Sequence, residues 1–143
     1  MQLPSVVLYT NILVSANLNP LGLEQFVYRK AIQLSLRLFV SEPILFEYKS
    51  VLSRPKFRFS PAEIAESLAL IRQNSNLVVP TAILAVSPDE RDNRFLECAE
   101  CAGAAFLVTG NRRHYPPIWK TTRIVSTREF IAAAILPPVS SGS

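Results

Sequence analysis

Short apolar runs alternate along the chain with longer stretches in which apolar residues recur at three- and four-residue spacing. The short runs are typical of buried strands, and they fall at residues 6–8, 36–40, 77–79, 106–108 and 124–125. The longer stretches are typical of helices with one apolar face, and they fall at residues 21–34, 41–52, 61–73, 90–102 and 128–135. Strands that alternate with helices favour a sheet covered on both faces. The pattern therefore predicts a three-layer α/β/α domain whose mostly parallel central sheet has about five strands.

Capping and turn signals divide the chain into one domain and a tail. Ser60 and Ser126 each precede a glutamate by three residues, which is the capping box that begins a helix. The chain has 143 residues, near the usual size of a single domain. We therefore expect one domain over residues 1–136. A flexible tail is expected at residues 137–143, because this segment is too small and polar to pack.

The composition is globular, with 49% hydrophobic and 18% charged residues. No apolar run approaches the roughly 18 residues that cross a bilayer, and the N-terminus lacks the pattern of a secretory signal. We therefore expect a cytoplasmic protein without a membrane partner. Cys98 and Cys101 are the only cysteines. We interpret them as buried free thiols, because a redox or zinc site would need further cysteine or histidine ligands.

Basic residues occur in two clusters that are interleaved with aromatic residues. The net charge is +4 and the pI about 9.4, a balance that suits a polyanionic partner. The first cluster lies within residues 54–59 and the second within residues 112–120. Such clusters can hold phosphates and stack bases. Solvated loops with aromatic residues in the core would give the same pattern.

Acidic and amide side chains follow several of the predicted strands. In open parallel sheets, sites form outside the carboxyl ends of the strands. Residues 9–11 and 109–111 follow two of the strands, and Glu47 lies just over one turn into the helix after another. Asp89 and Asp92 open a later helix, where Asp89 suits a helix cap better than a metal ligand. Oxygen ligands of this kind predict Mg²⁺ or Mn²⁺ and phosphate chemistry.

Four segments together resemble PIN-domain proteins. They are VVLYTNILVSA at 6–16, SEPILFEYKSVLSRPKF at 41–57, DERDNRFLECA at 89–99 and FLVTGNRRHYP at 106–116. The likeness extends to residues 123–131 and is greatest to toxin components of bacterial toxin–antitoxin pairs related to the VapC ribonucleases. It implies a metal-dependent enzyme that cleaves RNA with Mg²⁺ or Mn²⁺. It also implies a cognate antitoxin as partner and a homodimer.

The resemblance assigns roles to individual positions. The positions that match metal ligands are those of Glu47, Asp92 and Asn111. The positions that match the rest of the catalytic centre are those of Tyr9, Asn11 and Thr109. The positions that would contact nucleic acid are those of Arg112, Arg113 and His114. We interpret the histidine as a phosphate contact or a packing group ahead of a catalytic base.

Tyr9 departs from the family's pattern, in which the first motif is normally Asp-Thr-Asn. A neutral phenol has a pKa of about 10, ligates Mg²⁺ poorly and is bulkier than a carboxylate. Tyr9 therefore removes a negative charge and is expected to fill the metal's space. Glu47 and Asp92 remain as the two carboxylates at positions that match metal ligands.

Three hypotheses follow for the function. The first is a metal-dependent endoribonuclease of the toxin type, weakened by Tyr9. The second is a catalytically inactive PIN fold that acts by binding RNA or an antitoxin. The third is a small nucleotide-binding module of flavodoxin-like shape, which is disfavoured because no glycine-rich phosphate loop follows any predicted strand.

Overall fold

The computed structural model describes residues 3–135. The strands are β1 Ser5–Leu8, β2 Arg37–Val40, β3 Asn76–Leu77, β4 Phe106–Val108, β5 Ile118–Trp119 and β6 Thr122–Val125. They form one six-stranded sheet in the order β3-β2-β1-β4-β6-β5. All neighbouring strands are parallel except β5 and β6, which are antiparallel. This mostly parallel sheet confirms the predicted fold class, with one strand more than expected.

Helices connect the parallel strands. They are α1 Thr10–Leu18, α2 Leu23–Ile32, α3 Glu42–Leu52, α4 Pro61–Gln73, α5 Glu90–Ala102 and α6 Thr127–Phe130. Short 3-10 turns lie at Pro55–Phe57 and Arg112–His114, and a π-helical turn at Ile131–Ile135 continues α6. None of the helices within residues 3–135 is long and apolar enough to cross a membrane. The predicted tail at residues 137–143 lies outside the described residues.

The predicted bounds of α4 and α5 are confirmed, because both helices carry strong end signals. At the start of α4, the Ser60 hydroxyl accepts a hydrogen bond from the Glu63 amide at 3.1 Å, and the Glu63 carboxylate accepts one from the Ser60 amide at 2.9 Å. Asp89 caps α5 by accepting a hydrogen bond from the Arg91 amide at 3.0 Å. Gly103, with φ of 61°, ends α5 in the left-handed conformation that favours glycine.

One part of the core lies between α5 and the central strands. Val6, Val7 and Leu107 are fully buried in β1 and β4. Phe95 and Leu96 of α5 are equally buried, and α5 packs against β1, β2 and β4. Because β1 and β4 are adjacent and parallel, the residues that follow them leave the sheet at the same edge. The first turn of α5 comes to that edge as well.

Two elements were not predicted from the sequence. The first is α1, in which Ile12, Leu13, Val14 and Ala16 are all buried. Asn11 and Ser15 give this helix only a narrow polar face, so its apolar residues show little helical period. The second is β5, whose two residues are too few for an alternating pattern to be recognised.

Three smaller differences concern ends and burial. β3 lies one residue earlier and is shorter than the predicted strand at 77–79. The predicted helix at 128–135 is α6 followed by the π-helical turn. Both cysteines are free, but only Cys98 is buried, and burial raises the pKa of its thiol to about 12. The prediction that Cys101 is buried is wrong, because this residue lies in the last turn of α5 on its exposed side.

Candidate functional site

A pocket of about 360 Å³ opens at the carboxyl edge of the sheet. It lies over the ends of β1 and β4 and is bounded by α1, α3, the start of α5 and the two 3-10 turns. Its polar lining comprises Tyr9, Asn11, Ser15, Glu47, Arg54, Asp89, Arg91, Asn111 and His114. Its apolar lining comprises Val14, Val51 and Phe57. Five residues singled out in the sequence therefore lie together at one edge of the sheet, namely Tyr9, Asn11, Glu47, Asn111 and His114.

Backbone contacts fix the two loops that meet at the pocket. The Tyr9 amide donates a hydrogen bond to the Val108 carbonyl at 2.9 Å, which joins the ends of β1 and β4. The fully buried Thr109 accepts a hydrogen bond from the Asn111 amide through its hydroxyl at 2.9 Å. Thr109 thus supports the loop from below and does not reach the pocket.

Gly110 makes a close approach between these two loops. Its amide donates a hydrogen bond to the Asn11 amide oxygen at 3.3 Å. A Cβ atom at this position would lie 2.1 Å from the Asn11 amide nitrogen. Glycine is therefore required for Asn11 to keep its place in the pocket wall.

Asp92 lies behind the pocket and is fully buried, with 0% of its surface exposed. One carboxylate oxygen accepts a hydrogen bond from the Tyr9 hydroxyl at 2.5 Å. The other accepts one from the Ser87 hydroxyl at 3.1 Å and lies 2.9 Å from Nδ1 of His114. The Asp92 backbone carbonyl accepts a hydrogen bond from the Tyr115 hydroxyl at 3.0 Å. Both carboxylate oxygens are thus in use within the protein.

Tyr9 forms the wall between Asp92 and the pocket. Its ring packs against Phe95, with ring centroids 4.8 Å apart, and meets Tyr115 edge-on at 6.1 Å. Burial raises the pKa of the Tyr9 phenol well above its usual range, and the hydrogen bond to Asp92 raises it further. The phenol therefore stays protonated and acts as a donor to the carboxylate.

Arg91 lies between the two carboxylates that do reach the pocket. One of its guanidinium nitrogens is 3.2 Å from the Asp89 carboxylate and another is 3.9 Å from that of Glu47. The hydrogen bond from Arg91 lowers the pKa of the Asp89 carboxyl. The same interaction with Asp89, followed by the charge of Glu47, raises the pKa of Arg91. Both carboxylates therefore already face a fixed positive charge.

These contacts bear on the predicted Mg²⁺ or Mn²⁺ site. Mg²⁺ needs free oxygen ligands in near-octahedral arrangement. Asp92 is fully buried with a partner on each oxygen, and Glu47 and Asp89 share Arg91. Among residues 3–135, no group of three or more His, Cys, Asp or Glu side chains is arranged to hold a metal ion. As they stand in this structure, the residues do not fit the metal.

The basic residues of the second 3-10 turn face in different directions. His114 lines the pocket and contacts Asp92. Arg112 and Arg113 line a neighbouring cavity of about 490 Å³ instead. The guanidinium of Arg112 is held 2.7 Å from the Glu129 carboxylate.

Sequence reasoning missed two residues of the site. Ser87 precedes α5 in a segment without any recognised motif, and only the fold brings its hydroxyl to Asp92. Arg91 was not assigned a role, although its place between Asp89 and Asp92 in the first turn of a helix is visible in the sequence. The signal that could have found it is a cation within an acidic motif.

Comparisons with known proteins identify the family and agree with the fold. A family model described as PIN domain matches residues 5–113. The fold is similar to a chain in the crystal structure of VapBC2 from Rickettsia felis bound to a DNA fragment from their promoter. The TM-score is 0.54 and the identity 16%, over 84% of this chain and 98% of that chain. At this identity the likeness shows the fold alone. No curated protein sequence matches the chain.

Proposed function

Because the chain belongs to the PIN-domain family, we propose that it is an RNA-binding protein of the toxin–antitoxin type in which hydrolysis is suppressed. The resemblance to VapC-related ribonucleases supports RNA as the substrate class. The basic net charge of +4 and the arginines at the carboxyl edge of the sheet support a polyanionic partner.

The hydrogen bond from Tyr9 to Asp92 carries the proposal that hydrolysis is suppressed. Asp92 is the best match to a metal-binding carboxylate of the family, and the Tyr9 hydroxyl occupies one of its oxygens at 2.5 Å. The phenol also stands where relatives carry an aspartate. A hydrolytic centre built on Asp92 would need the Tyr9 side chain to leave it.

The remaining expectations from the sequence are proposed on the same basis. A cognate antitoxin is proposed as protein partner, since the structurally similar chain comes from a complex named VapBC2. A homodimer and a cytoplasmic location are proposed from the resemblance to toxin components. One domain over residues 1–136 is proposed from chain length and pattern.

A second candidate function is an active Mg²⁺- or Mn²⁺-dependent endoribonuclease. The observation that favours it is the presence of Glu47, Asn11 and Asn111 in one open pocket, where their oxygens could serve as ligands. It requires a state in which Tyr9 no longer contacts Asp92.

Cleavage of labelled RNA with Mn²⁺ or Mg²⁺ separates the two candidates. We expect no cleavage by the wild type, cleavage by Tyr9→Asp, and loss of that cleavage when Asp92→Asn is added. Tyr9→Phe serves as control, because it removes the hydroxyl without adding a carboxylate. Cleavage by the wild type that disappears in Asp92→Asn would instead establish the second candidate. If the wild type also fails to bind the labelled RNA in a direct binding measurement, both candidate functions are rejected.

A further inference from the structure

We infer that the pocket holds a nucleotide of single-stranded RNA through Arg91 and Arg54 directly, without a divalent metal ion between protein and phosphate. This inference rests on the proposed function, because it concerns how the same pocket binds RNA. It starts from the disagreement between the residues present and the metal that the family implies.

The pocket already contains a positive charge next to its carboxylates, the guanidinium of Arg91. Arg91 lies within 3.9 Å of Glu47 and 3.2 Å of Asp89, so its charge occupies the position between two carboxylates that a metal would otherwise neutralise. Its side chain is 57% exposed, and the contact with Glu47 is long. The guanidinium can therefore present its remaining donors to a phosphate while it stays bound to Asp89.

Arg54 supplies a second charge to the same pocket. It precedes the 3-10 turn at Pro55–Phe57 and lines the pocket. Within residues 3–135 its guanidinium is in no ion pair. The two arginines balance Glu47 and Asp89, and Asp92 is shielded behind Tyr9. The pocket therefore offers a dication no net negative charge, while Arg54 and the remaining donors of Arg91 can bind a phosphate.

The rest of the lining suits a base and a ribose. Phe57, Val51 and Val14 form an apolar wall, and Asn11 and Asn111 add amide groups that can donate and accept hydrogen bonds. Single-stranded RNA is bound by this combination of stacking surface, polar edge and basic groups. The volume of about 360 Å³ is in the range of small-ligand sites.

Fluorescence anisotropy of a labelled oligouridine tests the inference. We expect the wild type to bind the RNA equally well in EDTA and in Mn²⁺. Arg91→Ala and Arg54→Ala should each weaken binding about tenfold and reduce the salt dependence by about one counterion. Arg91→Lys should recover part of the loss, because it keeps the charge but not the forked geometry.

Arg29→Ala is the matched control, because it removes the same charge from an exposed position near the end of α2. That helix leads into the start of β2, so Arg29 lies toward the opposite edge of the sheet. Binding that is lost in EDTA and insensitive to Arg91→Ala would overturn the inference and leave the proposed RNA function standing. An equal loss in Arg29→Ala would also overturn it, since binding would then depend on net charge alone. Absence of RNA binding under every condition would reject the proposed function itself.

Discussion

The hydroxyl of Tyr9 provides the sharpest test of how the buried carboxylate is stabilised. Tyr9→Phe removes one donor from Asp92 and keeps the ring that packs against Phe95. Because the ring still covers the carboxylate, which is 0% exposed, water cannot replace the lost donor. Ser87 and His114 remain, both on the other carboxylate oxygen.

The expected cost follows from the charge of the acceptor. A hydrogen bond to a charged group contributes about 1.5–3 kcal/mol to the free energy of unfolding. We take about 2 kcal/mol for the Asp92 carboxylate when it loses the donor at Tyr9. The entropy of unfolding is about 2.1 cal/mol/K per residue, or about 0.3 kcal/mol/K for 143 residues. Tyr9→Phe should therefore lower Tm by about 7 °C.

Thermal and urea unfolding followed by circular dichroism would measure this cost, with Tyr48→Phe as the matched control. The Tyr48 hydroxyl is also buried and donates to the Leu8 carbonyl at 2.5 Å, a neutral acceptor. Its loss should cost about 1 kcal/mol, or about 3 °C in Tm. If Tyr9→Phe proves no more destabilising than Tyr48→Phe, the Asp92 carboxylate does not depend on Tyr9 and the reasoning fails.

Two further predictions concern alkaline pH and the close approach at Gly110. All four tyrosines of the chain have a raised pKa, chiefly through burial, so the unfolded state releases protons more readily. The free energy of unfolding should hold below pH of about 10 and fall above it; tyrosinate absorbance near pH 10 in a still-folded protein would contradict this. Gly110→Ala should push the Asn11 side chain aside and weaken RNA binding, while stability changes by at most about 0.5 kcal/mol, because the new Cβ meets only the end of a side chain. An unchanged affinity would show that RNA binding does not depend on the position of Asn11.

The sequence predicted an element well when local residues specify its ends, and poorly when the element depends on tertiary packing or strand pairing. The bounds of α4 and α5 were correct because Ser60, Asp89 and Gly103 specify helix ends through local hydrogen bonds and backbone conformation. Helix α1 was missed because burial on most sides leaves it only a narrow polar face. β5 exists only by pairing with β6, and such pairing has no local signature in two residues.

For the site, the sequence predicted which residues lie at the sheet edge but not which way their side chains point. The order of strands and helices was enough to bring Tyr9, Glu47 and Asn111 to one edge, because parallel strands end together. The direction of each side chain was not predictable. Asp92 and Arg91 are neighbours in sequence, yet Asp92 is fully buried and Arg91 lies in the open pocket. Successive helical residues point about 100° apart, so the angle of α5 against the sheet decides which of them faces the solvent.

The structure also changes what the tyrosine at position 9 means. With aspartate there, as in the family's pattern, two carboxylates would face each other in a buried setting, and their repulsion would need a cation. With tyrosine, the partner of Asp92 is a neutral donor whose raised pKa keeps it protonated. Together with Ser87 and His114, this hydrogen bond satisfies both carboxylate oxygens without a metal ion. The residue at position 9 therefore decides between two kinds of site. An aspartate there would suit a bound metal ion, whereas a tyrosine stabilises Asp92 without one. Phenylalanine provides neither a carboxylate for a metal nor a hydrogen-bond donor for Asp92. The loss of this one hydroxyl should therefore lower the stability of the fold, whether or not the chain cleaves RNA.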